Sequence, residues 1–129
     1  RGHVLRSVLE ATAYAVRANL EQLEQVRGSR TTSLAIGGGM SRSATFSQIV
    51  ADVIDRPLTV ALAPETSALG AAALAFVATG RYPSIADAVA AIATGRCTMR
   101  PVAAVSAAYD DCYARWCTMS DAFERMSEL

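Results

Sequence analysis

The stretch TSLAIGGGMSRSATFSQIVADVI, residues 32–54, decides the fold. An apolar, β-branched run, Thr31–Ile36, predicts a short buried strand. Three glycines follow as a loop, and Ser43–Ile54 then predicts a helix because its apolar residues recur at helical spacing. The side chains expected to be buried on that helix are Phe46, Ile49, Val50 and Val53. A strand, a glycine loop and a helix in this order are typical of a phosphate-binding turn.

The glycine loop Gly37–Gly39 has the chemistry of an anion site but matches no common fingerprint. The N-terminus of a helix offers N–H groups and partial positive charge, and glycine lets a ligand approach the backbone. Ser41 and Ser43 add hydroxyl groups, and Arg42 adds charge. The Gly-Lys-Ser/Thr ending of the Walker pattern is absent, and Arg42 follows where the dinucleotide pattern needs its last glycine. A structural turn and a nucleotide-binding loop therefore both stay open.

The first half of the chain predicts a parallel strand pair. Arg1–Arg27 reads as an amphipathic helix, and Gly28 is placed to stop it. After the turn at Asp55–Pro57, Leu58–Leu62 predicts a second strand. Two strands joined by a helix form a parallel, right-handed unit.

The second half predicts three further helices. One begins at Thr66 as N-cap and ends at Gly80, and the next runs from Ser84, paired with Asp87, to Gly95. Gly70 lies inside the first of these, where a close packing contact would explain a glycine. The last helix follows Pro101 and carries a regular apolar seam at Val105, Tyr109, Cys112, Trp116, Met119, Phe123 and Met126. This seam fits docking onto a parent domain better than a short coiled coil.

The composition implies an incompletely covered domain. The 129 residues are 52% hydrophobic and only 19% charged, and two strands are few for a sheet that is apolar on both faces. We therefore expect further strands upstream, a face buried against a partner or a missing domain, and a capacity to form a homo-oligomer.

Several function classes are excluded. Twelve basic and twelve acidic residues balance, without the basic patch of a nucleic-acid binder. No run resembles a membrane span. The three cysteines fit neither a disulfide framework nor a zinc site. With no secretory signal, we expect a cytoplasmic protein with reduced thiols.

Three segments together resemble the C-terminal part of the FGGY carbohydrate kinases, which include glycerol, xylulose, ribulose and autoinducer-2 kinases. The segment LRSVLEATAYAVRANLEQLE (5–24) is similar to the family helix before the nucleotide loop. The segment GGMSRSATFSQIVADVIDRPL (38–58) is similar to the family's G-G-x-x-x-S, its helix and its Arg-Pro turn. The segment PETSALGAAALAFVATGRYPS (64–84) is similar to E-x-x-A-L-G-A-A and Gly-x-Tyr, and it is the most specific of the three.

The resemblance implies a fold, an activity and a set of site residues. The fold is α/β, part of a helix-rich, actin/hexokinase-type (ribonuclease H-like) domain with few strands. Residues 1–129 would form the C-terminal portion of the nucleotide-binding domain of an ATP- and Mg²⁺-dependent sugar or polyol kinase. The implied nucleotide contacts are Gly37, Gly38, Gly39, Met40, Ser43 and Glu65. Gly38 and Gly39 would lie against the phosphates and ribose, and Ser43 would meet the adenine.

Two other interpretations remain beside an active kinase. In the family, the catalytic carboxylate and the sugar-binding residues lie upstream, so the resemblance implies no catalytic residue and no metal ligand in this chain. Alone, it should phosphorylate nothing. The alternatives are a helical α/β interaction module whose glycines only form a turn, and a kinase-like protein that binds nucleotide without catalysis. Glu65 likewise stays open between a cleft residue and an acid that stabilises a helix N-terminus.

Overall fold

The part of the chain that the structure describes contains five α-helices, three strands and one 3₁₀ turn. The computed structural model describes residues 2–63, 65–93 and 95–127. The elements, in chain order, are α1 (Gly2–Arg27), β1 (Leu34–Ile36), a 3₁₀ turn (Gly39–Arg42), α2 (Ala44–Ile54), β2 (Leu58–Ala61), α3 (Thr66–Ala78), α4 (Ile85–Ile92), β3 (Arg96–Met99) and α5 (Ala103–Ser127). The five predicted helices and both predicted strands are present, with β1 shorter than the sequence indicated.

The sheet confirms the parallel pair and adds a strand that the sequence did not reveal. The strand order is β1-β2-β3, with β1 parallel and β3 antiparallel to β2. The predicted helix Ser84–Gly95 was too long, since α4 ends at Ile92 and Gly95, at φ +115°, directly precedes β3. Thr98 is the one β-branched residue among the four, which gives little signal, so cross-strand pairing with β2 decides this strand.

The core lies between one face of the sheet and helices α1, α2 and α5. Val50 and Val53 on α2 are fully buried at its centre. Across from α2, the ring of Tyr14 on α1 lies about 6 Å, between centroids, from three rings of α5. These rings are Tyr109, Tyr113 and Trp116. Aromatic packing of this kind attaches α5 to the domain.

The apolar seam of α5 is only half covered. Its first part packs into the core, where Tyr109 is buried and Trp116 half-buried. Met119, Phe123 and Met126 are 58%, 67% and 68% exposed. The prediction of a docking seam is therefore confirmed for the part of α5 that meets α1 and α2 within the chain, and what covers the remainder stays a prediction.

A charged clamp joins α1 to the turn before β2. The guanidinium of Arg56 donates to both carboxylate oxygens of Glu24, at 2.6 and 2.9 Å, and the Thr31 N–H donates to the same carboxylate at 2.7 Å. These donors, Arg56 first, lower the pKa of Glu24 to about 2. The Arg-Pro turn of the sequence motif therefore holds the end of α1 against the entrance to β1.

This clamp predicts a loss of stability in acid. Because the folded pKa of Glu24 lies below its ordinary value of 4.5, the carboxylate stabilises the fold above that value, and the contribution fades as pH falls toward 2. Thermal unfolding of the chain and of Glu24→Gln should differ most near pH 6 and converge between pH 4.5 and 2. A difference that stays constant with pH would contradict this assignment.

Gly70 is not crowded within the chain, contrary to the sequence-based expectation of a close packing contact. A Cβ built at Gly70 would have no atom within 4 Å apart from the backbone of its own helix, among the residues that the structure describes. The neighbouring face of α3 is exposed at Ala71, Leu74 and Ala75. The glycine thus marks a smooth, open strip of α3.

We expect Gly70→Ala to stabilise the chain. Alanine is preferred over glycine inside a helix by about 0.5–1 kcal/mol, and the added methyl group meets open space. Chemical denaturation should show an increase of this size in the free energy of unfolding. A decrease would mean that something crowds this strip.

Candidate functional site

The glycine loop and the start of α3 meet at one edge of the sheet. Strands β1 and β2 are parallel, so their carboxyl ends reach the same edge. Gly37 directly follows β1, and Glu65 directly precedes α3, which begins at Thr66. A Cβ at Gly37 would lie 2.9 Å from Thr66 Cγ2, so these two segments are in contact. In open α/β sheets, ligands bind in the crevice at this edge.

The three glycines differ in what the surrounding structure requires of them. Gly37 has no room for a Cβ because of Thr66. Gly38 adopts φ +94°, ψ −172°, a backbone conformation that side chains strongly disfavour. At Gly39 no φ constraint applies and no atom of the described residues lies within 4 Å of a Cβ. Packing and backbone geometry therefore account for Gly37 and Gly38, but not for Gly39, which borders open space.

The entry into α2 differs from the predicted one. A 3₁₀ turn, Gly39–Arg42, separates the loop from α2, so the loop does not run straight into the helix N-terminus. Ser41, expected to offer a hydroxyl to a ligand, is buried, and its Oγ donates to the carbonyl of Gly38 at 2.7 Å. The sequence alone could not show this, because the inward position of Ser41 depends on the 3₁₀ turn.

Ser43 and Arg42 are exposed next to this turn, and Met40 is 51% exposed. The Oγ of Ser43 accepts a hydrogen bond from the Phe46 N–H at 3.2 Å, which makes Ser43 the N-cap of α2. A hydroxyl that accepts one hydrogen bond still has its own proton to donate.

Glu65 takes the N-cap position of α3, which the sequence assigned to Thr66. Its side chain is exposed and makes no capping hydrogen bond, while its carbonyl accepts from the Leu69 N–H at 3.1 Å. Thr66 is instead the first helical residue, and its methyl group packs toward Gly37. The sequence missed this role of Thr66 because the contact spans 29 residues and has no local pattern.

The Gly37–Thr66 contact predicts a compensating pair of substitutions. Gly37→Ala should destabilise the chain by about 1 kcal/mol, because overpacking against a stiff β-branched side chain forces a local shift. Thr66→Ser removes the methyl group that the new Cβ would meet, so the double variant should regain most of the loss. A double-mutant cycle by chemical denaturation measures this coupling, and strict additivity would contradict the contact.

Two polar residues of α2, Gln48 and Asp52, bind the segment that leads into α5 rather than the glycine loop. The carboxylate Oδ1 of buried Asp52 accepts from the Val102 N–H at 2.8 Å and from Gln48 Nε2 at 2.9 Å. The same amide group of Gln48 donates to the Arg100 carbonyl at 2.8 Å. Asp52 thus ties α2 to the entrance of α5.

The described part of the chain contains no group of three or more His, Cys, Asp or Glu side chains that could hold a metal ion. Within residues 2–63, 65–93 and 95–127, no helix is both long enough and apolar enough to cross a membrane.

Comparison with known proteins identifies the family of this chain. Residues 1–79 match the C-terminal domain of the FGGY family of carbohydrate kinases. A glycerol kinase of Methylorubrum extorquens is 42% identical over 87 residues, which are 67% of this chain and 17% of that protein. A glycerol kinase of Chloroflexus aggregans is 42% identical over 80 residues, 62% of this chain and 16% of that protein.

Solved structures extend the likeness to the whole chain. The xylulose kinase of Rhodospirillum rubrum superposes with a TM-score of 0.79 at 29% identity, over 100% of this chain and 26% of that one. A gluconate kinase of Lactobacillus acidophilus, at 19% identity, shares the fold with a TM-score of 0.70 over 91% of this chain and 23% of its own. The helix-rich, actin/hexokinase-type α/β fold expected from the sequence is confirmed.

The chain spans about a sixth of the curated relatives and about a quarter of the solved kinases that it matches. Within that span the glycine loop, the Arg-Pro turn and the start of α3 lie inside the matched residues 1–79. The sheet edge, the glycine loop and these matches lead to one conclusion: this chain belongs to the FGGY family of carbohydrate kinases and corresponds to its C-terminal domain.

Proposed function

We propose that this chain is the ATP-binding part of a sugar or polyol kinase, which transfers the γ-phosphate of ATP to a carbohydrate hydroxyl. The observation that carries the proposal is the open space over Gly39, at the sheet edge where ligands of α/β folds bind. Neither packing nor backbone geometry within the described residues requires a glycine there. A nucleotide lying against the backbone would require one.

In this proposal, different site residues contact different parts of the nucleotide. Gly37–Met40 face the phosphates and ribose, since backbone N–H groups can neutralise anionic oxygens without reorganising. Ser43 donates its free hydroxyl proton toward the adenine while it caps α2. Glu65, at the start of α3, faces the same cleft. The contribution of these residues to phosphoryl transfer is orientation and charge stabilisation.

The remaining catalytic parts are assigned to the rest of a longer protein. Phosphoryl transfer to an alcohol needs Mg²⁺ on the phosphates and a carboxylate that accepts the hydroxyl proton. We propose that both are held outside this chain, as are the sugar contacts, and that the chain alone phosphorylates nothing. Two features favour such a longer protein. Strand β1 pairs with β2 alone among the described strands, and apolar side chains of α1, α3 and α5 are exposed.

The acceptor class follows from the relatives. The matched curated proteins are named glycerol kinases, and a solved neighbour is a xylulose kinase, so a polyol or a ketopentose is the proposed substrate. We further propose a cytoplasmic location; homo-oligomer formation stays a prediction.

Calorimetric titration with MgATP tests the nucleotide role. We expect saturable binding to the 129-residue chain at millimolar or lower concentration, and no heat of binding with MgCl₂ alone. A folded chain that shows no binding at several millimolar MgATP would contradict ATP binding by this chain. That result would favour the interaction module in which the glycines only form a turn.

A further inference from the structure

A pair of buried hydroxyl groups lies beneath the glycine loop. Ser41 is 5% exposed and Ser47, on α2, is completely buried. Ser47 Oγ donates to the carbonyl of Ser41 at 3.2 Å, and Ser41 Oγ donates to the carbonyl of Gly38 at 2.7 Å. The loop is thus tied through the 3₁₀ turn to a helix that lies in the core.

The carbonyl of Gly38 accepts twice from the same residue. Besides the hydroxyl, the N–H of Ser41 donates to this oxygen at 3.2 Å. Both hydrogen bonds direct the carbonyl toward Ser41 in the 3₁₀ turn. A peptide unit is planar and trans, so the N–H of Gly39 points in the direction opposite to this carbonyl. That N–H therefore faces away from Ser41.

We propose that Ser41 is a positioning residue, which holds the Gly38–Gly39 peptide with its N–H outward so that it can donate to an anionic oxygen of the nucleotide. The inference rests on the proposed function. The sequence suggested that the hydroxyl of Ser41 contacts the ligand. In this proposal, Ser41 acts instead through the Gly38–Gly39 peptide. A peptide between two glycines needs such a restraint, because glycine has almost no preference between the two backbone conformations that a flip of the peptide plane interconverts. A flipped peptide would present its carbonyl, and hence negative partial charge, to the phosphates.

The test compares Ser41→Ala with Ser41→Thr, which keeps the hydroxyl, and with Thr45→Ala as a matched control. Thr45 is an exposed hydroxyl residue in the first turn of α2. The first readout needs no ligand. With ψ of Gly38 near −172°, the Gly38 Hα protons lie close to the Gly39 amide proton and give strong NOEs. These should weaken in Ser41→Ala and return in Ser41→Thr, while thermal unfolding shows that each variant is folded.

The second readout is the Kd for MgATP by calorimetry. Ser41→Ala should raise the Kd about 10-fold, with Ser41→Thr and Thr45→Ala within about twofold of the parent chain. If the parent chain binds MgATP and Ser41→Ala binds equally well, or keeps its NOEs, the positioning role is wrong and the proposed function stands. If the parent chain does not bind MgATP, the proposed function fails and this inference fails with it.

Discussion

Gly39→Val should abolish MgATP binding, with a Kd raised by at least about 100-fold, while the fold stays intact. The branched side chain would fill the space over the loop that we assign to the nucleotide, and no described atom lies within 4 Å of the new Cβ. Because Gly39 is itself exposed and begins the 3₁₀ turn, the substitution should change the free energy of unfolding by less than about 1 kcal/mol.

Gly37 and Gly38 provide the contrast to Gly39. Alanine at Gly37 meets Thr66, and alanine at Gly38 must adopt φ +94°, so both substitutions should lower stability as well as affinity. Among these three glycines, we therefore expect Gly39 alone to lose affinity for MgATP on substitution without a loss of stability. If Gly39→Val binds MgATP as the parent chain does, the open space over Gly39 is not the nucleotide site.

Asp52→Ala should destabilise the chain by about 3 kcal/mol without changing the Kd for MgATP. The substitution removes the buried carboxylate that accepts from both the Val102 N–H and the Gln48 side-chain amide, in hydrogen bonds that are partly buried. These groups fix the entrance to α5, and α5 supplies the rings that pack on Tyr14. Loss of this anchor should therefore loosen α5 before the rest of the domain.

The sequence contains a single tryptophan, Trp116 on α5, and its fluorescence reports on this detachment. In Asp52→Ala, the emission should shift to longer wavelength at a lower denaturant concentration than the loss of helical circular dichroism. Asp52→Asn keeps the acceptor oxygen and should lose about 1 kcal/mol or less. An Ala variant as stable as the parent chain would contradict the role given to Asp52.

Local sequence patterns were sufficient for the elements whose residues carry a strong signal of their own. The long amphipathic α1 and the Ser84–Asp87 cap of α4 form as expected, β1 forms in the second half of its predicted run, and Ser84 Oγ accepts from the Asp87 N–H. Strand β3 was missed because its four residues carry no such signal, and only pairing with β2 makes Arg96–Met99 a strand. Position in the sheet, rather than propensity, determined that element.

The sequence predicted where along the chain the candidate site lies, but not the tertiary contacts around it. The order of strand, glycines and helix predicted a ligand site at the backbone of Gly37–Gly39, which stays a prediction, and the structure places Gly37 and Gly38 beside Thr66 at the start of α3. The inward orientation of Ser41, the packing of Thr66 on Gly37 and the reach of Asp52 to Val102 all depend on the tertiary arrangement. No spacing rule in a single sequence encodes contacts of that kind.

The most direct test of the account is an amide NMR titration of the chain with MgATP. If the glycine loop and the start of α3 form the nucleotide site, chemical shift changes should be confined to residues 37–43 and 65–70 and should disappear in Gly39→Val. Shift changes centred elsewhere, for example along the groove between α1 and α5 that Asn19, Gln22 and Ser120 line, would contradict the account. So would a folded chain whose amide shifts do not change at millimolar MgATP.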